Sequence, residues 1–208
     1  MTQPVDISML DLTTATVADI RSALLDLICT KAYREGDFAL TSGQRSSYYI
    51  NCKQVTLHPQ GGLMVGQAFL DMLPAGTVGV GGLTLGADPI VTAVSVVGAY
   101  QGQPVTPLIV RKAAKGHGTQ AYIEGPTLPD GSLVVVLEDV VTTGQSAFKA
   151  IERLRIAGYQ VEQVIALVDR QEGGAELYAD KGLKFQSVYT IADVQARWKV
   201  LSKVAGNG

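Results

Sequence analysis

Almost no net charge is left in this chain. Its 17 basic residues face 19 acidic ones, for a formal net charge of −2 over 208 residues. Bulk electrostatics therefore point to no nucleic-acid partner, and any anion must be held by a local cluster. Cysteine is scarce as well: Cys29 and Cys52 match neither a metal nor a redox spacing. Two such thiols fit the reduced state of a cytoplasmic protein. No cation precedes Arg21 and no continuous apolar stretch occupies the N-terminus, so a signal peptide is not expected. The apolar run Ile90 to Ala99 is too short to span a bilayer. Internal repeats and low-complexity tracts are lacking. Charged residues make up only 17% of the chain against 47% hydrophobic, which leaves ample material for a core and argues against disorder. The length suits one domain, or a domain with a small appendage.

What is present alternates. Met1 to about Thr16 carries no period and reads as a loose arm, and Val17 to Tyr33 as an amphipathic helix with Ile20, Leu24, Leu27 and Ile28 on one face. Phe38 to Leu40 and Tyr48 to Asn51 suggest short strands around a Thr41-Ser42-Gly43 turn. Helices are expected over Gly61 to Leu73, Asp88 to Tyr100, from near Gly144, and over Gly174 to Asp180. Strands are expected at Val78 to Val80 (entering a Gly-rich loop), Thr106 to Val110, a short return near Ala121 to Ile123, Leu133 to Leu137, Val161 to Val168 and Leu183 to Tyr189, with Ile191 to Val194 starting a final turn. Strands alternating with helices imply an α/β fold with a mostly parallel central sheet flanked by helices. Residues 1–60 break the alternation. They are expected to form an N-terminal arm and small hood over the sheet's C-terminal edge, with the core in 61–208.

The most informative stretch runs from Leu133 to Ser146. A β-branched run reads as a buried parallel strand that ends in Glu138-Asp139. A turn follows, Val140-Val141-Thr142-Thr143-Gly144-Gln145-Ser146, and then a helical pattern. Free amides and a helix N-terminus suit a phosphate. Two acids beside them would repel a polyphosphate but match the vicinal hydroxyls of a ribose. The competing reading is an ordinary capped strand–turn–helix junction. No Gly-Lys-Ser/Thr follows, and dinucleotide glycine spacing is absent, so neither of those phosphate motifs applies.

Three further segments carry chemistry. Arg111, Lys112, Lys115 and His117 sit on a stretch with Gly116 and Gly118, and no acid lies between Pro104 and Tyr122. Cations without a local partner on a flexible loop fit a pyrophosphate clamp, or else a solvated loop. Arg170 follows a buried strand and can grip a planar carboxylate, or pair with Asp169 or Glu172. Gly81 to Pro89 offers glycines through which a diphosphate can approach backbone amides, and Pro89 equally fits the first turn of a helix. His58 reads as a surface residue, Trp198 as packing, and Tyr48, Tyr49 and Tyr100 as core residues with polar tips.

The strand, acid pair and Thr/Gly turn resemble the diphosphosugar signature of the type I phosphoribosyltransferases. Arg111-Lys112-Ala-Ala-Lys115-Gly-His117-Gly118 resembles the mobile loop of the orotate phosphoribosyltransferases within that superfamily. Asp169-Arg170-Gln-Glu-Gly173-Gly174 and the segment Phe38 to Asn51 are similar to that family's orotate-binding stretches. The resemblance implies the type I fold and transfer of ribose 5-phosphate from phosphoribosyl diphosphate to orotate in pyrimidine biosynthesis. It implies that Mg²⁺ binds mainly through the substrate's diphosphate, with no protein residue singled out as a metal ligand. It also implies a homodimer whose Arg111–His117 loop acts on the partner subunit, in the cytoplasm. By resemblance, Arg111, Lys112, Lys115 and His117 contact the diphosphate, and Lys115 or His117 supplies charge or a proton to the leaving group. Glu138 and Asp139 serve the ribose, and 140–146 the 5-phosphate. Thr142 and Arg170 meet orotate, while Tyr49 and Ile50 present backbone groups to the pyrimidine. Two lysines common in the family are missing, one at Thr41 and one near Gly86, so the Arg111–His117 loop is expected to supply more of the charge. A purine or uracil phosphoribosyltransferase would leave Arg170 without a carboxylate, and a non-catalytic regulator would want a nucleic-acid surface.

Overall fold

The computed structural model describes residues 14–39, 45–115 and 122–205. Most of the expected arm, residues 1–13, and the Thr41–Gly43 turn lie outside them. Helix α1 (Val17–Leu27) starts at a reciprocal cap: Thr16 Oγ1 accepts from the Asp19 amide, and Asp19 Oδ2 accepts from the Thr16 amide, both at 3.2 Å. A π turn over Ile28–Ala32 ends the helix, and Tyr33 already belongs to strand β1 (Tyr33–Ala39), which pairs antiparallel with β2 (Arg45–Ile50). The two expected short strands are thus one longer hairpin. Helices α2 (Lys53–Thr56) and α3 (Pro59–Leu70) follow, and His58 Nδ1 caps α3 by accepting from the Gly61 amide at 3.3 Å.

The rest alternates: β3 (Gly79–Leu83), α4 (Asp88–Tyr100), β4 (Thr106–Val110), β5 (Ile123–Glu124), β6 (Val134–Val141), α5 (Gln145–Ile156), β7 (Gln163–Asp169), α6 (Gly174–Asp180), β8 (Lys184–Thr190) and α7 (Ile191–Ala205). Among the described residues the main sheet runs β5-β4-β3-β6-β7-β8, parallel except for β5. The period-two alternation of β6 and β7 feeds two cores. Val135, Leu137, Ile165 and Leu167 face α1, α3, α4 and α7, while Val134, Val136, Val164 and Ala166 face α5 and α6. Asp26 and Arg197 tie α1 to α7 by two hydrogen bonds of 2.5 and 2.8 Å. No helix among the described residues is long and apolar enough to cross a membrane.

Several expectations need correction. β6 does not stop at Leu137 but continues through both acids to Val141, because Glu138, Val140 and Val141 stay in register with Ala166, Val168 and Asp169 of β7. Gly81 and Gly82 lie inside β3 rather than in a loop. The final turn is a 15-residue helix, α7, started by Thr190 and Asp193, whose side chains cap each other's amides, and pinned by buried Val194. Tyr100 is no core residue: it is 95% exposed.

Candidate active site

The strand order contains a reversal. From β3 the chain steps outward to β4, then returns to lay β6 on the other flank of β3. In open parallel sheets such a switch point opens a crevice at the strands' C-terminal ends. Two segments meet there, the loop Thr84–Ala87 after β3 and the acid pair of β6. A Cβ at Gly86 would lie 2.6 Å from Asp139 Oδ1 and 3.2 Å from Glu138 Oε1, so the bare glycine lets the loop pack directly against both carboxylates. Glu138 and Asp139 are 5% and 9% exposed. Glu138 Oε2 is buried without a hydrogen-bond partner. Burial, reinforced by the charge of Asp139, holds the Glu138 carboxyl well above the ordinary carboxylate range. Asp139 Oδ1 accepts from the Val140 amide at 2.9 Å, and its Oδ2 faces Lys53 Nζ at 3.5 Å. Buried acids with one carboxylate oxygen unsatisfied are poor structural elements and good receptors for hydroxyl donors.

The turn after the acids carries the second receptor. Gly144 takes the left-handed conformation (φ 79°) before α5, with no side chain capping that helix end. Tyr178 packs beneath it and donates to the Gly144 carbonyl at 3.2 Å, and a Cβ there would meet the Tyr178 ring at 2.9 Å. A small pocket of about 70 Å³, with Glu138, Thr142, Thr143, Gln145, Ser146 and Tyr178 in its wall, collects this backbone. An uncapped helix N-terminus presenting amides into a pocket binds an anion.

On the neighbouring flank, Arg170 leaves β7 with its side chain 12% exposed. Its Nε donates to Tyr48 Oη at 2.9 Å, its Nη2 lies 2.8 Å from Glu172 Oε1, and its guanidinium stacks 4.8 Å from the Tyr48 ring centre. Tyr48 thus brings the hairpin to the sheet's C-terminal edge and is a site residue, not merely a core one. Tyr49 is 46% exposed on β2 beside half-buried Ile50.

The cationic loop departs from the expectation of unpaired charge. Arg111 Nη1 lies 2.8 Å and Lys115 Nζ 3.5 Å from Glu124 Oε1. The acid sits just beyond the acid-free window and is folded back by β5. It is held below the usual carboxylate range, by the Arg111 hydrogen bond first and by the charge of Lys115 second. Arg153 of α5 donates to the Arg111 and Lys112 carbonyls and covers the Tyr122 ring, anchoring the loop's base. β3 separates β4 from β6, so the described part of the loop starts about 10 Å across the sheet from the acids. The structure gathers Glu138 through Ser146 at the switch point but leaves Arg111, Lys112 and Lys115 at its side. His117 lies outside the described residues. Among those residues, no three His, Cys, Asp or Glu side chains gather as a metal site.

Sequence reasoning missed Lys53, the grip of Tyr48 on Arg170, and Glu124. Lys53 carries no local signal, because its acid partner lies 86 residues away in the chain. Glu124 was within reach of a slightly wider charge count.

No family model matches the chain. Curated relatives do. An orotate phosphoribosyltransferase of Nostoc sp. is 66% identical over 188 residues, covering 90% of this chain and 91% of the relative. One from Synechocystis sp. is 60% identical, covering 91% and 96%. Among solved structures, an orotate phosphoribosyltransferase of Mycobacterium tuberculosis superposes with a TM-score of 0.75 at 36% identity, covering 84% of this chain and 98% of that one. The same enzyme in complex with 5-phospho-α-D-ribosyl 1-diphosphate superposes at 0.71 and 32% identity, covering 85% and 99%. Likeness of this extent means that the chain has the type I phosphoribosyltransferase fold and belongs to the orotate phosphoribosyltransferase family.

Proposed function

We propose that the cleft transfers the ribose 5-phosphate of phosphoribosyl diphosphate to orotate, forming orotidine 5′-monophosphate and diphosphate, a step of de novo pyrimidine (UMP) biosynthesis. One observation carries this reading. Two buried carboxylates lead straight into an uncapped helix N-terminus at the switch point, so consecutive residues suit the sugar and phosphate ends of one ligand. Glu138 and Asp139 hold the ribose hydroxyls and favour positive charge growing at the anomeric carbon. The backbone from Val140 to Ser146 takes the 5-phosphate.

Arg170 and Thr142 fix orotate, with Tyr49 and Ile50 offering backbone groups to its ring. The ring N–H gives up its proton, to the departing diphosphate or to solvent, and its nitrogen bonds to the anomeric carbon as the bond from that carbon to the diphosphate breaks, the electron pair leaving with the diphosphate. Arg111, Lys112, Lys115 and His117 close on that leaving group, and Lys115 or His117 supplies charge or a proton to it. Closure excludes water from an oxocarbenium-like centre. The weak, exposed pairing of Lys115 with Glu124 supports a loop that can leave its resting place, since such pairs contribute about 0–1 kcal/mol.

The carboxylates present fit a metal that arrives on its substrate: two adjoining acids with one unpartnered oxygen, and no third His, Cys, Asp or Glu gathered with them among the described residues. Mg²⁺, held mainly by the substrate's diphosphate and water, neutralises leaving-group charge when bound. A homodimer with the loop acting across subunits is supported by an uncovered apolar face beside the cleft. Leu57, Leu63, Leu85 and Val96 are all well exposed and line a groove of about 760 Å³ that Lys53 and Asp88 share. Two buried free thiols, Cys29 and Cys52, support the cytoplasm as its compartment.

The test is to follow orotate absorbance with phosphoribosyl diphosphate, with and without Mg²⁺. Orotate is expected to be consumed with the metal, and hypoxanthine, adenine and uracil to be left untouched. Unchanged orotate, or comparable turnover of uracil, would overturn the reading.

A further inference from the structure

A cation stands at the acid pair that neither the ribose turn nor the mobile loop supplies. Lys53 opens α2, just after the hairpin, and its Nζ is 3.5 Å from Asp139 Oδ2. The two ends of this contact differ in burial: the Asp139 side chain is 12% exposed and that of Lys53 45%. A single long contact on a flexible four-carbon stem does not lock the ammonium in place. Lys53 also lines the groove it shares with Leu85 and Asp88, at the two ends of the Thr84–Ala87 loop. It therefore borders both the acid pair and the glycine-bearing loop, beside any diphosphate carried by a sugar that those acids hold.

Of the other cations, Arg170 is tied to Glu172 and Tyr48 on the neighbouring flank, and Arg111 and Lys115 rest on Glu124 at the side of the cleft. Gly86 carries no side chain, and a Cβ there would meet the Asp139 carboxylate at 2.6 Å. We propose that Lys53 binds the diphosphate of the donor, resting on Asp139 in the empty cleft and turning to the diphosphate oxygens when the donor enters. This rests on the reading of the cleft as a phosphoribosyl diphosphate site. It supplies from α2 the positive charge that the chain lacks at Thr41 and Gly86. The exchange also frees Asp139 for the ribose hydroxyls at the moment they arrive.

The test compares Lys53→Ala and Lys53→Arg with the parent protein. Inorganic diphosphate binding is measured by calorimetry, KM for each substrate in the orotate assay, and melting temperature by scanning calorimetry. Loss of one charge-assisted contact should weaken diphosphate binding and raise the donor KM by about tenfold or more in the alanine variant. The orotate KM should stay within about twofold. Arginine should restore donor affinity to within about threefold, because it keeps the charge. Unchanged diphosphate affinity in Lys53→Ala would overturn the proposal. So would a loss shared by both substrates, accompanied by a lower melting temperature and not rescued by arginine, since that marks a structural counter-ion of Asp139. A parent protein that binds diphosphate but never consumes orotate would sink the orotate reading and leave the role of Lys53 measurable.

Discussion

Replacing Arg170 by methionine isolates the group that selects the substrate. The Arg170 side chain is 12% exposed and its guanidinium is backed by Tyr48, a setting in which a two-point pair with a carboxylate is strong. Truncating one partner of such a pair costs about 2–4 kcal/mol. Part of that is offset, because Arg170 already pairs with Glu172. That acid is 41% exposed, so the pair contributes only about 0–1 kcal/mol. The net loss to orotate is then about 1–4 kcal/mol, which is about 5- to 1000-fold in kcat/KM. Methionine fills the space over the Tyr48 ring, so the melting temperature should move by only a few degrees, at about 2–4 °C per kcal/mol for a chain this size. Steady-state kinetics with orotate varied at saturating donor measure the effect, and the donor KM serves as the internal control. Glu172→Gln is the reciprocal arm: it frees the guanidinium and should tighten orotate by up to about fivefold. An Arg170→Met enzyme with orotate kcat/KM within threefold of the parent would refute the assignment of the carboxylate to this residue.

Three other perturbations probe the rest of the cleft. Gly144→Ala forces a left-handed φ of 79° on alanine and drives its Cβ to 2.9 Å from the Tyr178 ring. Together these should cost about 2–4 kcal/mol by denaturant unfolding and raise the donor KM, and an unchanged midpoint would count against the tight turn. Glu138→Gln removes a carboxyl whose folded-state pKa is raised above its ordinary 4.5 by burial and then by Asp139. The folded chain binds that proton more tightly than the unfolded one, so the parent loses stability as pH rises from about 4.5 through the folded value. The variant should therefore be more stable than the parent at pH 8, a gain that shrinks towards pH 4.5, while turnover falls; parallel stability–pH curves would contradict the burial argument. Lys115→Ala, at a side chain 71% exposed, should leave the melting temperature nearly unchanged and lower kcat by more than about tenfold, and near-normal turnover would remove the loop from the chemistry.

Much of the site was legible because its parts are contiguous. Glu138 to Ser146 is one strand end, one turn and one helix start, and each was marked by local chemistry: β-branched residues, then acids, then Thr and Gly. The helices Asp88–Tyr100 and Gly174–Asp180 and the strand Thr106–Val110 begin and end where their sequence punctuation says. Errors fell where tertiary pairing overrides local signal. β6 runs on through two acids because β7 pairs with it, and α7 forms across a polar stretch because Val194 and Trp198 have a core to meet. The pairing of Arg111 and Lys115 with Glu124 depended on β5 folding back, which no charge count over a short window contains.

Lys53 marks the other side of that line. A charge recruited from a different element leaves no pattern in the stretch it serves, so the missing lysines at Thr41 and Gly86 read as a deficit that only the mobile loop was placed to cover. In the folded chain the same facts take a different sense. With glycine at 86 the loop rests against both carboxylates, and a side chain there would require the acids or the loop to shift. Because that position is bare, a cation serving the diphosphate has to come from another element, and α2 is the one whose first residue already reaches Asp139. Gly86→Lys should accordingly disturb Glu138 and Asp139 before it helps the diphosphate.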